Sequence, residues 1–444
     1  MPLPLLKERE KEGEVNTRCK PSTILNYLIK TMKSVVIGGG IIGLCSTYYL
    51  QKSGYQVTVL ERGDLKDNCS FGNAGMIVPS HFVPLASPGI VAQGIKWMFD
   101  SKSPFYVKPA LSWRMANWGI KFIQHANQKN ADHSAPYLRD LNLLSNNLYK
   151  ELATQPGFDF ALEQKGIIMY YKTDKVGEEE IHLAEKARSL GLDAEVLSAQ
   201  QAQLLEPEVQ MDIAGAVHYH CDAHLYPNKL MEQLIQFVTA NGGVIKTNCS
   251  VTKIETENGN IKNAVTANEN FSADVFVVTG GSWLPELTKM AGINISLMPG
   301  KGYSITQNNP AKKLNIPAIL CEAKVAITPM DGRMRYGGTM EIAGINDKVN
   351  INRVKGIIES VPKYFPNLNV ELPETKDIWY GFRPCSPDGL PYIGRSKKIK
   401  NLLIAGGHSM MGLSLGPATG KLVAELASGD SLSVKADAFD PERF

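Results

Sequence analysis

The 444-residue sequence predicts an α/β fold: a doubly wound, Rossmann-like domain interrupted by an inserted α+β domain that carries a mixed or antiparallel sheet. Three observations predict it. Three short apolar runs, SVVI (34–37), VFVV (275–278) and LLIA (402–405), each lead into a glycine pair or triplet. Continuous apolar runs of this length, bounded by glycine, are the pattern of strands buried on both faces of a parallel sheet. The long stretches between them change period and composition, so the sheet is assembled from separated pieces.

Residues 1–31 are charged and lack the apolar core of a secretory signal, and Met32-Lys33 stands directly before the first strand. They are read as an extension outside the fold. Next comes Gly38-x-Gly40-x-x-Gly43, then helical IIGLCSTYYLQKSG, then the strand QVTVL ending at Glu61. The first glycine permits the turn, the second lets backbone approach a pyrophosphate, and the third lets helix pack on strand. Free N–H groups at the helix start would face the phosphates. Glu61, an acid placed to accept from ribose hydroxyls, would repel the extra phosphate of NADP. From Pro79 to about Ala135 the chain turns apolar, aromatic and proline-rich, with Trp113, Trp118 and Phe122 at helical spacing and read as a packed helix. GIIMYYKT (166–173) reads as a buried strand and EEEIHLAEKARSLGL (178–192) as an amphipathic helix. A second helix, 226–243, sets Leu230, Leu234 and Val238 on one face. A strand, a hairpin turning at ENGN and the run 275–279 into Gly280-Gly281 follow. At the far end, 401–429 is strand, glycine loop and long helix.

That order bears on which dinucleotide is held. An NAD dehydrogenase of Rossmann type builds its nucleotide domain contiguously, whereas here the sheet resumes only after residue 240. Three scattered glycine-ended strands suit a long, resident dinucleotide, and the reading is FAD. The expected domains are a flavin domain of 32–85, 200–290 and 385–444, and a substrate domain of 86–199 and 291–384. Composition bounds the rest. Hydrophobic content of 43% and charged content of 20% are those of a folded globular protein. A net charge of +3, without a Lys/Arg run, argues against nucleic acid as a partner. Seven dispersed cysteines without a CxxC pair argue for a reducing, cytoplasmic compartment and against a disulfide framework or zinc site.

Several stretches together resemble the D-amino-acid oxidase superfamily of flavoproteins, from about Met32 to the C-terminus. They are the fingerprint with Glu61-Arg62, SFGNAGMIVPSH (70–81), SPGI (87–90), IKWMF (95–99), MPGKGYSIT (298–306), RYGGTMEIAG (335–344), GFRPCSPDGLPYIGR (381–395) and AGGHSMMGLSLGPATGK (405–421). The resemblance implies FAD held by Gly38, Gly40, Ile42, Gly43, Glu61, Arg62, Ser70, Asn73, Ala74, Gly75, Met76, Val251, Gly280, Gly281, Trp283, Gly407, Gly412 and Leu413. It also implies that Arg383 anchors a substrate carboxylate. The residues agree, because a guanidinium set between Phe382 and Pro384 has a restrained backbone, and its fork suits a carboxylate. An ion pair with Asp388 is the structural alternative. Tyr303 is a candidate second carboxylate contact, and His408 a candidate donor or positive charge beside the reduced flavin, aided by the helix around 412–421.

The activity expected is FAD-dependent oxidation of a D-amino or cyclic imino acid (D-proline or hydroxy-D-proline type) to an imine and then a 2-oxo acid. The alternatives are a glycine- or sarcosine-type oxidase that makes peroxide, and a flavin subunit that only relays electrons. The expected electron acceptor is a quinone or an electron-transfer protein. The segment LASPGIVAQGIKWMF, with Lys96, is read as packed core, with a peripheral contact on the inner membrane face as the alternative. HYHCDAHLYP (218–227) departs from the pattern. Its His218, His220 and His224, with His81, could tune the pocket, and no metal site is expected.

Overall fold

The computed structural model describes residues 31–66, 68–97, 102–108 and 112–444, so the extension expected over 1–31 lies outside the described residues except for Thr31. The fold rests on two sheets.

The first sheet starts with β1 (Lys33–Ile37), four of whose five residues are buried. It pairs in parallel with β2 (Gln56–Leu60) on one side and with Val275–Val278 on the other. Six strands stand in the order Tyr392–Arg395, Leu402–Gly406, Val275–Val278, β1, β2, Val244–Lys246. All pairs are parallel except the one made by the edge strand Tyr392–Arg395. The three glycine-ended runs are therefore three adjacent strands, and their loops share one end of the sheet.

Close backbone approach explains several glycines. A Cβ on Gly43, in α1 (Ile41–Lys52), would lie 1.8 Å from the carbonyl oxygen of Gly38. A Cβ on Gly420, in the C-terminal helix Gly416–Ser428, would lie 2.5 Å from the carbonyl of Cys45 in α1. Cys45 is thus a buried packing residue. Outside this pair lies the long helix Gln128–Ala153, whose buried Tyr149 donates to the carbonyl of Leu413 at 2.6 Å.

The second sheet has nine strands. Eight run in the order Trp379–Cys385, Met298–Asn308, Arg333–Ile342, Val325–Met330, Ala318–Leu320, Ile167–Tyr171, Gly215–Tyr219, Ala194–Ser198, and Phe105–Val107 adds in parallel to Arg333–Ile342. It is antiparallel apart from that pair and the pair Ala318–Leu320 with Ile167–Tyr171, which is the mixed sheet expected. Its register aligns Ser304, Gly337, Ala326, Ile319 and Met169 side by side on one face. A third, three-stranded sheet holds the hairpin Lys253–Glu257 and Asn260–Val265, turning at Asn258-Gly259 as predicted.

Two expectations need correction. The helix Trp113–His125 forms, but Trp113 is 83% exposed while Trp118 is 9% exposed and stacks on Phe122. Helical spacing identified neighbours on a helix without telling which side meets the protein. The amphipathic helix begins earlier than predicted, at Asp174, where the Thr173 hydroxyl accepts from the Val176 N–H.

Candidate functional site

A cavity of about 2100 Å³ runs between the glycine loops of the first sheet and the small-residue face of the second. Ordinary ligand pockets hold about 300–1,000 Å³, so this one has room for a long cofactor and a substrate together. Ser304, Gly337, Ala326, Ile319 and Met169 line it, so the aligned face of the second sheet is one of its walls.

At the nucleotide end, Gly38 takes φ +115°, and a Cβ there would lie 2.7 Å from the Thr279 carbonyl oxygen. Gly40 has no side chain with which to cap α1, the Ile41 N–H is met from outside by Ser70, and Gly40, Ile41 and Ile42 line the cavity. Free N–H groups at a helix start are an anion site. The Glu61 carboxylate accepts from the N–H groups of Gly39 at 2.6 Å and Gly63 at 2.8 Å. Each oxygen keeps a lone pair for a ribose hydroxyl. Beside it, the Arg62 guanidinium lies 3.5 Å from the centre of the Trp283 ring, and Val251 lines the same end. This cradle fits a dinucleotide.

The loop 70–76 is held from within. Ser70 Oγ accepts from the Ile41 N–H at 3.0 Å, so it braces the start of α1. Asn73 accepts from the Gly75 N–H at 2.9 Å. Behind the loop, buried Arg335 donates to the carbonyls of Phe71 and Asn73 at 2.8 and 2.7 Å. Ala74 and Met76 line the cavity with Gly280, Gly281, Gly412 and Leu413. Three predicted cofactor residues, Gly43, Gly75 and Gly407, do not. They shape backbone instead: a Cβ on Gly75 would meet the Leu225 carbonyl oxygen at 2.3 Å, and one on Gly407 the Tyr392 ring at 2.7 Å, with φ of +74° and +75°.

At the other end stands Arg383, on the strand Trp379–Cys385 and lining the cavity. Gly302 on the next strand makes room for it, since a Cβ there would lie 1.8 Å from Nη1. Nη1 donates to the Thr339 carbonyl at 2.6 Å, and Nη2 has only a 3.5 Å contact with the Gly338 carbonyl. Asp388, the structural alternative, pairs instead with Arg443 at 2.7 and 2.9 Å. Among the described residues Arg383 has no carboxylate partner, and burial holds its pKa below the usual guanidinium value. Thr339, at φ +60°, and Ser409, at φ +51°, also line the cavity, and left-handed backbone at non-glycine residues concentrates at functional sites.

Two candidates already have hydrogen-bond partners within the protein. The Tyr303 hydroxyl donates to Glu341 at 3.3 Å and accepts from the Asn350 N–H at 3.1 Å, so its hydrogen bonds are made within the protein. His408 lines the cavity, but its Nε2 is bonded to the Thr419 hydroxyl at 2.9 Å and burial pushes its pKa down to about 3. Burial thus favours its neutral form. The helix expected around 412–421 begins at Gly416. Of the four other histidines singled out in the sequence, His81 lines the cavity and His224 is buried away from it. His218 bonds the Lys165 carbonyl at 2.9 Å and His220 meets Glu195 at 3.2 Å, away from it.

The wall residues Gly302, Ser304, Gly337 and Ala326 escaped sequence reasoning. Only the register of the second sheet brings them together, although small residues at i, i+2 in KGYS carried a faint signal.

Residues 33–426 match the family described as FAD dependent oxidoreductase, DAO. The chain is 30% identical to a D-amino acid dehydrogenase of Helicobacter pylori, over 91% of this chain and 96% of that one. It is also 30% identical to a D-amino acid dehydrogenase of Vibrio atlanticus, over 93% and 100%. Among solved structures, glycine oxidase from Geobacillus kaustophilus shares the fold with a TM-score of 0.74 at 22% identity, covering 93% of this chain and all of that one. With the helix start, the held acid and the glycine cradle in place, the conclusion is that this chain belongs to the DAO family of FAD-dependent oxidoreductases.

Proposed function

We propose that this flavoenzyme is a dehydrogenase of D-amino or cyclic imino acids, of D-proline or hydroxy-D-proline type, oxidising the Cα–N bond to an imine that water converts to a 2-oxo acid. The single observation that carries the reading is Arg383, a guanidinium deep in the protein, open to the cavity and without a carboxylate partner among the described residues. Such a fork has unmet donors, and a substrate carboxylate is the group that fits two parallel N–H bonds. FAD, when bound, supplies the two-electron acceptor for the Cα–H. The chain holds the carboxylate at Arg383 and presents the small-residue wall of the second sheet to the substrate. Fixing the substrate in one orientation is the main protein contribution to a reaction of this kind. The names of the relatives, at 30% identity, favour the D-series and an acceptor other than oxygen.

A quinone or electron-transfer protein is the acceptor proposed, reached at a membrane surface. Ile95, in the apolar segment read as packed core, is 55% exposed, and Trp113, Ile120 and Ile123 on the helix that follows are 83%, 56% and 60% exposed. Between residues 86 and 131, Asp100 is the one acid against six Lys and Arg. Exposed apolar side chains among cations suit an anionic lipid surface. No helix among the described residues is long and apolar enough to cross a membrane.

The test is anaerobic mixing of the holoprotein with D-proline, other D-amino acids, N-methyl amino acids and the L-enantiomers while the flavin absorption is followed. Bleaching by D-substrates is expected. Bleaching by glycine or sarcosine with rapid oxygen uptake would favour an oxidase, and no bleaching by any amino acid would sink the reading.

A further inference from the structure

Asp222 is a buried carboxylate, 1% exposed, with no Lys or Arg in contact among the described residues. A buried acid without a cation needs another explanation. Its Oδ1 accepts from the Ser80 N–H at 2.9 Å and its Oδ2 from the Ser80 hydroxyl at 2.5 Å, while the Cys221 thiol lies 3.5 Å from Oδ1. Ser80 Oγ is also 3.1 Å from Nδ1 of His81. A serine hydroxyl has one proton, and here it goes to Asp222. The Ser80 oxygen must then accept from His81 Nδ1–H, an assignment made from the network. That tautomer leaves a lone pair on His81 Nε2, which makes no hydrogen bond within the described residues, and His81 lines the cavity. Lys324 and Arg383 line the same cavity, and the Lys324 charge opposes a second charge on His81.

We propose that His81, Ser80 and Asp222 form a proton relay that takes up the proton a substrate ammonium must lose before its Cα–N bond is oxidised. The inference rests on the amino-acid reading above. One N–H bond of the ammonium breaks as a bond to His81 Nε2 forms. The Nδ1 proton passes to Ser80 Oγ, and the Ser80 proton passes to Asp222 Oδ2. The result is a neutral amine, a neutral imidazole in its other tautomer and a carboxylic acid. No electrons move in this step, and after product leaves the proton returns by the same path and passes from His81 Nε2 to water entering the cavity. Burial pushes Asp222 up to about 7, where a base working at neutral pH should stand. Burial and the Lys324 charge push His81 down to about 4, so it transmits the proton without keeping it. The other titratable groups facing Asp222, Cys221 and Tyr219, are both held neutral by burial.

The test uses the holoprotein and the variants D222N, S80A and H81Q. Asparagine at 222 still accepts from the Ser80 N–H, so the loop keeps its anchor, and S80A leaves Asp222 itself in place. Infrared difference spectra across pH 5 to 9 should show a carboxylic-acid C=O band titrating near 7, absent in D222N and shifted in S80A and H81Q. Anaerobic flavin reduction by a D-amino acid should slow about 10²-fold at pH 7 in all three variants. It should recover towards wild type at high pH, where the amine arrives already neutral, a recovery that a damaged fold would not give. A loss equal at every pH, or no loss, overturns the relay. If no amino acid bleaches the wild-type flavin, the amino-acid reading fails by itself. The band then decides, and its absence, or its indifference to S80A and H81Q, overturns the relay.

Discussion

Replacing Arg383 by methionine removes the guanidinium while keeping a long stem in the space that Gly302 leaves open. In the wild type, Nη1 is tied to the Thr339 carbonyl at 2.6 Å, Nη2 has only its 3.5 Å contact with Gly338, and Arg383 lines the cavity. Two charge-assisted hydrogen bonds to a carboxylate contribute about 1.5–3 kcal/mol each, so the variant should lose about 3–6 kcal/mol of transition-state binding. At about 1.4 kcal/mol per factor of ten, kcat/KM should fall roughly 10²- to 10⁴-fold. Stability should change much less. The Thr339 carbonyl loses its donor, at about 1–3 kcal/mol, but no acid is left unpaired and a buried charge disappears. The assay is anaerobic flavin reduction with D-proline and with pyrrolidine, which has the ring and amine but no carboxylate, alongside thermal unfolding. Loss confined to D-proline is the expected result. An equal loss with both compounds would mean the site had collapsed, and less than a tenfold loss with D-proline would place the anchor elsewhere.

Gly302→Ala should reproduce the kinetic defect with arginine still present, because a Cβ 1.8 Å from Nη1 must displace the fork; flavin should stay bound, and KM for the carboxylate substrate should rise at least tenfold. Asp388→Asn breaks a pair whose side chains are 7% and 13% exposed, and should cost about 3–5 kcal/mol in urea unfolding by leaving Arg443 without its anion, with the pyrrolidine-to-proline preference intact. Asp222 gives stability a pH dependence. Its carboxyl stands at 3.8 when unfolded and about 7 when folded, so folding favours the protonated form. That stability is present in full below about pH 4 and is lost as pH rises to about 7, up to roughly 4 kcal/mol, and D222N should flatten this slope in urea unfolding at pH 5 and 8. Gly43→Ala should yield protein without flavin, since its Cβ has nowhere to go 1.8 Å from the Gly38 oxygen, as absorbance of the purified protein would report.

The nucleotide half was legible because its chemistry is local. Gly38, Gly40, Gly43 and Glu61 lie within one strand–helix–strand unit, and each has a backbone reason that a short window displays. The same locality hid the chain neighbours of Gly75 and Gly407: a glycine marks a close approach without naming what approaches, and the Leu225 carbonyl and the Tyr392 ring stand there. Arg383 was legible from its Phe382 and Pro384 neighbours, whereas the partner that frees it was not, because Asp388 turns to Arg443, 55 residues onward. Tyr303 was a candidate for a substrate carboxylate, and only the positions of Glu341 and Asn350 show its hydrogen bonds within the protein. The relay was invisible for the same cause, since Ser80 and Asp222 are 142 residues apart.

The order of strands in the first sheet also sets a clock on the ribosome. β1 is made more than two hundred residues before its neighbour at Val275–Val278, and the next strand begins at Leu402. At about 5–20 residues per second, the nascent strand waits on the order of ten to fifty seconds with one side unpaired. Pairing over such separations is slow and leaves apolar backbone open to other chains. Release factors that act early, or a stop codon anywhere before 402, would therefore yield not a weaker enzyme but a chain with an unfinished sheet, and such products are substrates for chaperones and proteases.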